Sequence, residues 1–263
     1  MIQGPPPEHT RRAFGLGGAD VEPLVGGTGW RCGDVVLEPV HDRAQGVWLS
    51  RTMAALDVPE LRVARPVGAT DGRWVVGGWR ARRYLSGSPD HRPHETVLAA
   101  VKLHQATAAF PRPPFLGDRN DVSAVAERLA WGEEHRELDE AKGGRLFEIL
   151  APARRPVQAP DQLVHAELFG TLLFDGDEPP GLVNFVPHFR PAEWGTAVAA
   201  VDAVAWGGGD GALLRYWSHL PEWPQMLLRA VLFRLAWHAL HPRSGVSTLD
   251  GLRRAAGEIT ELL

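Results

Sequence analysis

A single cysteine, Cys32, stands among the 263 residues. One thiol excludes an internal disulfide framework and a cysteine-built zinc centre. Lysine is almost as scarce. Only Lys102 and Lys142 occur, so the first 101 residues contain none, and every other basic residue is arginine. No basic excess exists either: 28 Lys and Arg face 32 Asp and Glu, a net charge of −4, which argues against a nucleic-acid partner. No apolar run approaches the ~18 residues of a membrane span. The opening MIQGPPPEHTRRAFGL has no apolar h-region, so it is read as no signal peptide, and a cytoplasmic, membrane-free protein is expected. Repeats of 20–50 residues are missing, as are low-complexity tracts beyond Pro5–Pro7. Eleven histidines are present, yet no H-E-x-x-H or comparable spacing occurs. His165-Ala166-Glu167 matches half of a zinc-deaminase signature without the P-C-x-x-C half. The expectation is no metal and no cofactor.

Apolar residues make up 44% of the chain and charged residues 23%, the mix of an ordinary globular protein. Residues 1–12 read as a flexible lead-in. Residues 13–80 read as a small sheet carrying one helix. Glu22–Val40 has a strand, a turn with Gly26, Gly27 and Gly29, and a second strand rich in β-formers (Val35, Val36, Leu37). Gln45–Leu56 is predicted helical. Leu61–Val67 and Arg73–Trp79 follow as strands around the turn signal Asp71-Gly72. Residues 81–263 read mostly as helices, at 94–110, 121–131, 145–150, 197–206, 213–217, 226–240 and 249–262. Asp121 is a candidate N-cap. Within this part Gly170–Phe174 and Gly181–Phe185 flank Asp175-Gly176-Asp177 as a hairpin, placed in a loop-like segment 163–186.

That segment, LVHAELFGTLLFDGDEPPGLVNFVPHFRPAEW, resembles the catalytic core of the aminoglycoside phosphotransferase and fructosamine kinase-like superfamily, where the pattern is H-G-D-x-x-x-x-N, a hairpin, then [I/V]-D-[F/W]. LRVARPV, DGRWVVGGWRARRYLSG, LHQATAAFPRPPFL, RLAWGE and VDAVAWGG extend the resemblance over residues 12–262, to an actinobacterial branch that fits the GC-rich codon bias of the composition. The fold it implies is α+β, protein-kinase-like and bilobal: a small β-rich N-lobe and a larger helical C-lobe with an embedded β-hairpin.

The same resemblance implies that the chemistry is degenerate. The catalytic Asp falls on Glu167, the metal-binding Asn on Thr171 and the metal-binding Asp on Asn184. The phosphate-positioning Lys falls on Glu38, and its helical Glu partner on Arg51. Phosphoryl transfer from ATP rests on charge management. Asn184 has lost the charge that anchors a divalent cation, and Glu38 places a carboxylate where phosphates would lie. At ~4 Å and an effective dielectric of ~20 each such pair is worth about 4 kcal/mol. ATP-dependent transfer is therefore expected to be lost, with an interlobe cleft reused for a metabolite or peptide, or for a metal-free elimination, cyclisation or isomerisation in actinobacterial specialised metabolism. The alternatives are a pseudokinase scaffold for a partner enzyme and a divergent active small-molecule phosphotransferase. His165, Glu167 and His188 are the candidate acid/base groups, although a loop-supporting role for His165 competes. Trp79 at the expected hinge, Thr171, Asn184 and Arg190 are candidate ligand contacts, with a salt bridge to the large lobe as the competing role of Arg190. Glu38 and Arg51 are expected to form a charge-swapped ion pair.

Overall fold

The computed structural model describes residues 4–24 and 29–263. Its elements are α1 (Glu8–Ala13), β1 (Glu22–Pro23), β2 (Trp30–Cys32), β3 (Val35–Pro39), α2 (Arg43–Ala55), β4 (Arg62–Val63), β5 (Pro66–Val67), β6 (Val75–Val76), β7 (Trp79–Arg83) and β8 (Ser88–Pro89). Then follow α3 (Pro93–Thr107), α4 (Val122–Trp131), α5 (Gly144–Leu150), β9 (Gln162–His165), β10 (Leu173–Phe174), β11 (Gly181–Leu182), β12 (Pro187–Arg190), α6 (Ala192–Trp206), α7 (Gly211–Tyr216), α8 (Trp223–Leu240) and α9 (Val246–Thr260). The expected mixture of a sheet-rich N-terminal part and a helical remainder is what the structure has. Gly26 and Gly27 of the expected turn lie outside the described residues.

The chain divides into two compact units, and the boundary corrects the expected one at residue 80. One unit holds residues 1–88 and 173–185; the other holds 89–172 and 186–263. The hairpin expected inside the helical part thus belongs to the sheet unit. The reason is pairing: β11 runs parallel to β4, with Gly181 opposite Arg62 and Leu182 opposite Val63.

The main sheet runs β1-β2-β3-β7-β5, with β6 also paired to β7. Two-residue turns set its register. Gly77 and Gly78 join β6 to β7 with φ of 57° and 80°, the positive values that a twisted hairpin turn demands. This makes β7 a strand of its own, pairing along its length with β3 from Val35↔Arg83 to Pro39↔Trp79. Side chains alternate across such a strand. Trp79 and Ala81 enter a cluster with Val35, Leu37, Cys32 and Phe14, while Arg80 and Arg82 leave the opposite face. Trp79 is therefore a core residue at the start of a strand, correcting its assignment to a hinge. Of the expected flexible lead-in, residues 4–12 are more ordered than expected. They run into α1, and Thr10 is fully buried. Asp42 caps α2 by accepting from Gln45 N, and Arg65 donates to the carbonyl of Leu56 at its far end (2.6 Å).

The helical unit is built around α6 and α8. Every residue from Trp194 to Ala205 is buried, as expected of a helix apolar on all sides. Around it pack α3, α8 and α9, with α4 and α5 against α8. Trp194 meets Phe233 edge to face at 5.4 Å. Asp121 caps α4 by accepting from Ala124 N, as expected, and Gly132 at φ 77° ends that helix. β9 and β12 form a separate antiparallel pair with His188 opposite Val164. No helix among the described residues is long and apolar enough to cross a membrane.

Candidate functional site

In the sheet unit the register puts Glu38 directly opposite Arg80, with Arg82 two residues further along the same face. Glu38 forms ion pairs with both: Arg82 Nε lies 2.8 Å from Oε1, and Arg80 meets Oε2. Burial alone would push the Glu38 carboxyl up, but the two guanidiniums outweigh it and hold the carboxyl below its ordinary range. Arg51 does not take part. It lies on the exposed side of α2 and makes no ion pair among the described residues. The expected Glu38–Arg51 pair is thus corrected, because the adjacent strand delivers two cations straight onto the carboxylate while the helix presents Arg51 elsewhere.

Asn184 belongs to the same unit. Its neighbour Phe185 is buried and lies edge-on to Trp48 of α2, ring centroids 6.2 Å apart. This anchors the hairpin's exit and leaves Asn184 exposed, with Oδ1 3.5 Å from Arg80 Nη2. The structure thereby joins Glu38 and Asn184 through a guanidinium.

Glu167 and Thr171 lie in the helical unit, four residues apart in the loop that follows β9. The Thr171 hydroxyl donates to the carbonyls of Glu167 and Leu168 (3.0 Å to the latter). The loop carrying them is braced from below. His165 is buried, and its Nδ1 accepts from Glu167 N at 3.2 Å and Val186 N at 3.4 Å. Its own backbone N donates to Nε2 of His104 at 3.1 Å. Burial pushes the His104 imidazole down to about 4, against an upward pull from its hydrogen bonds with the backbone of His165 and Ala192, so it is neutral near pH 7.

Two residues that the sequence reading missed complete the brace. Arg234 of α8 forks onto Asp202 of α6, with Nε to Oδ1 at 2.6 Å and Nη2 to Oδ2 at 2.5 Å. It also donates to the Ala166 carbonyl at 2.9 Å. Burial pushes the Asp202 carboxyl up to about 6; Arg234 pulls it back, and nearby Glu167 adds an upward push. A signal was present: a lone Asp in Val198–Ala205 and a lone Arg in Ala230–Ala236, each inside an apolar helix, need each other.

His188 and Arg190 do not face a ligand site, which corrects their expected placement. His188 is 0% exposed, flanked edge-on by Trp194 and Phe233. Nδ1 bonds Glu127 of α4, and Nε2 lies 3.3 Å from Ser123 Oγ. The order Ser123–His188–Glu127 matches that of a nucleophilic triad, but a fully enclosed imidazole has no route to a substrate. Arg190 donates to Glu127 Oε1 (2.5 Å) and forks onto Glu133 (2.7 Å to each oxygen), with its guanidinium over Trp131. These contacts lock β12 to α4 and the segment following it. Of the three acid/base candidates, only Glu167 is partly exposed.

Among the described residues no group of three or more His, Cys, Asp or Glu is placed to hold a metal ion. The buried thiol of Cys32 is pushed up by burial, with no base beside it in sequence.

No protein-family model matches this chain, and no curated protein matches it. Solved structures do. An AMP-bound spectinomycin phosphotransferase superposes with a TM-score of 0.60 over 96% of both chains at 9% identity. A choline/ethanolamine kinase family protein from Mesorhizobium loti gives 0.53 over 92% of this chain and 88% of that one at 16% identity. A thermostable mutant of an aminoglycoside phosphotransferase, in ternary complex with AMP-PNP and hygromycin B, gives 0.52 over 94% of both at 13% identity. The fold is thus that of the aminoglycoside phosphotransferases and choline kinase-like proteins.

Proposed function

We propose that this chain has kept a phosphotransferase fold and lost ATP–Mg²⁺-dependent phosphoryl transfer, and that it acts by binding a metabolite or peptide. The observation that carries the reading is the Glu38–Arg80–Asn184 juxtaposition. Where the resemblance calls for a lysine on the phosphates there is a carboxylate held ionised by two arginines. Where it calls for an aspartate on the metal there is a neutral amide turned to a guanidinium. Thr171, at the place of a metal-binding amide, directs its hydroxyl to backbone carbonyls. These residues do not fit a magnesium–triphosphate: positions 171 and 184 lack the amide and carboxylate that would hold the metal, and position 38 carries a carboxylate committed to two arginines where the phosphate-positioning lysine would stand.

Binding is favoured over a new acid/base reaction because His165 and His188 are both buried and engaged by the protein itself, His165 by backbone N–H groups and His188 by Glu127. The composition fits an actinobacterial origin, with specialised metabolism as the setting. Calorimetry with ATP, with and without Mg²⁺, tests the reading. The expected outcome is no magnesium-dependent heat and no ADP release with any acceptor. Magnesium-dependent micromolar binding, or turnover, would overturn it.

A further inference from the structure

Arg80 and Arg82 are 8% and 4% exposed, and Glu38 is the carboxylate that both share. One negative charge against two positive ones leaves a surplus cation inside the sheet unit. Arg82 makes the better-formed contacts, donating to Glu38 at 2.8 Å and to the carbonyl of Arg83 at 3.3 Å. Arg80 has the poorer share. Its further neighbour is the neutral Oδ1 of Asn184. Burial holds Arg80 below its ordinary range, Glu38 draws it back up, and Arg82 pushes it down again. Removing a guanidinium from water without a full countercharge is costly, and an anion supplied from outside would balance the cluster.

The exposed Asn184 beside Arg80 suits one. A guanidinium presents a planar fork that matches a carboxylate or phosphate. Asn184 is exposed, and with its carbonyl oxygen toward Arg80 its amide NH₂ remains to donate outward. We propose that Arg80 and Asn184 form the anchor for the oxyanion of a small ligand, a carboxylate or a phosphate, taken up without a metal ion. This rests on the functional reading above and deepens it by naming the ligand chemistry. Asn184, at the place of a metal ligand, becomes a positioning partner for an anion. Glu38 sets the limit: it neutralises one arginine and leaves room for a single negative charge.

The test is thermal unfolding of the full chain at pH 6 in increasing sodium acetate or sodium phosphate, both mainly monoanions there, against sodium chloride at matched ionic strength. A saturable rise in Tm over chloride is expected with at least one of the two oxyanions, and the stronger arm distinguishes carboxylate from phosphate. In Arg80→Gln the apparent Kd should weaken at least tenfold. In Asn184→Asp the new carboxylate should pair with Arg80, raising Tm without added anion and abolishing the anion response. Because Asn184 is exposed, that variant decides the matter if Arg80→Gln does not fold. A linear, unsaturating rise shared by wild type and both variants would be general salt exclusion and would overturn the proposal, as would an anion response that survives both substitutions. A magnesium-dependent response to ATP would overturn the functional reading while leaving the oxyanion result standing. No response to either oxyanion overturns the anchor alone.

Discussion

Arg234 in the helical unit and Arg80 in the sheet unit are equally buried, each 8% exposed, yet they are answered differently. Arg234 has Asp202 to itself, bonded at both oxygens, and a backbone carbonyl besides. Arg190 repeats the pattern, gripping two glutamates. In these two cases charge is matched by charge and fastens one element to another, while Arg229 of α8 is answered by the Gln225 side chain and backbone carbonyls. In the sheet unit two arginines share one carboxylate, and the further contact of Arg80 is a neutral amide. Balanced buried charge marks architecture; unbalanced buried charge beside an exposed polar group marks a place for a ligand. By that criterion His188 and Arg190 belong to the scaffold, and Arg80 and Asn184 to the site.

The comparison breaks first if the helical pairs are dispensable. Asp202→Ala leaves Arg234 buried without its carboxylate and releases one support of the Ala166 carbonyl. It is expected to cost about 3–5 kcal/mol in urea unfolding; a loss under about 1 kcal/mol, the range of an exposed pair, would show that the brace is unimportant.

His104 gives the next largest effect. Its folded value near 4 lies below the unfolded value near 6.5. Above pH 6.5 the imidazole is neutral in both states and contributes nothing to the pH dependence. As pH falls below 6.5 the unfolded chain takes up a proton that the folded chain refuses, so stability falls, and the loss is complete near pH 4. The shift corresponds to about 3 kcal/mol. Wild type should lose this much more than His104→Gln between pH 7 and pH 4, since glutamine does not titrate. Parallel pH profiles for the two proteins would contradict the assignment.

The smallest effect is expected at Arg51. Exposed and without an ion-pair partner among the described residues, it should tolerate Arg51→Ala within about 0.5 kcal/mol. A double-mutant cycle with Glu38 should be additive to within about 0.5 kcal/mol. A larger coupling would restore the helix–strand pair that the structure replaces.

The sequence made some of this legible. The 3.6-residue periodicity of α3 and the Asp121 cap of α4 are local properties, and both were readable. The strands β9 and β12 were not. Each has four residues, and β12 starts at Pro187 and is followed by Pro191, with histidine and arginine inside it, a poor strand signature. The Gly77-Gly78 pair was a readable hairpin turn; running the strand through it to Trp79 hid β7 and misassigned Trp79. The Glu38 partners could not be read at all. Which cations lie opposite a carboxylate depends on register between strands more than forty residues apart, and composition carries no register. Motif comparison located Glu38, Glu167, Thr171 and Asn184, but it named the residues lost and was silent on Arg80, which stands beside Glu38 and Asn184.

The most direct test of the contrast is to remove each arginine and compare the cost. Arg234→Met abandons Asp202 in the core, whereas Arg80→Met leaves Glu38 and Arg82 as a matched pair. In equilibrium urea unfolding at pH 7, Arg234→Met is expected to lose about 3–5 kcal/mol and Arg80→Met less than about 1 kcal/mol. Equal losses would contradict the account, because they would mean that Arg80 is as fully answered within the fold as Arg234 and carries no surplus charge for a ligand to meet.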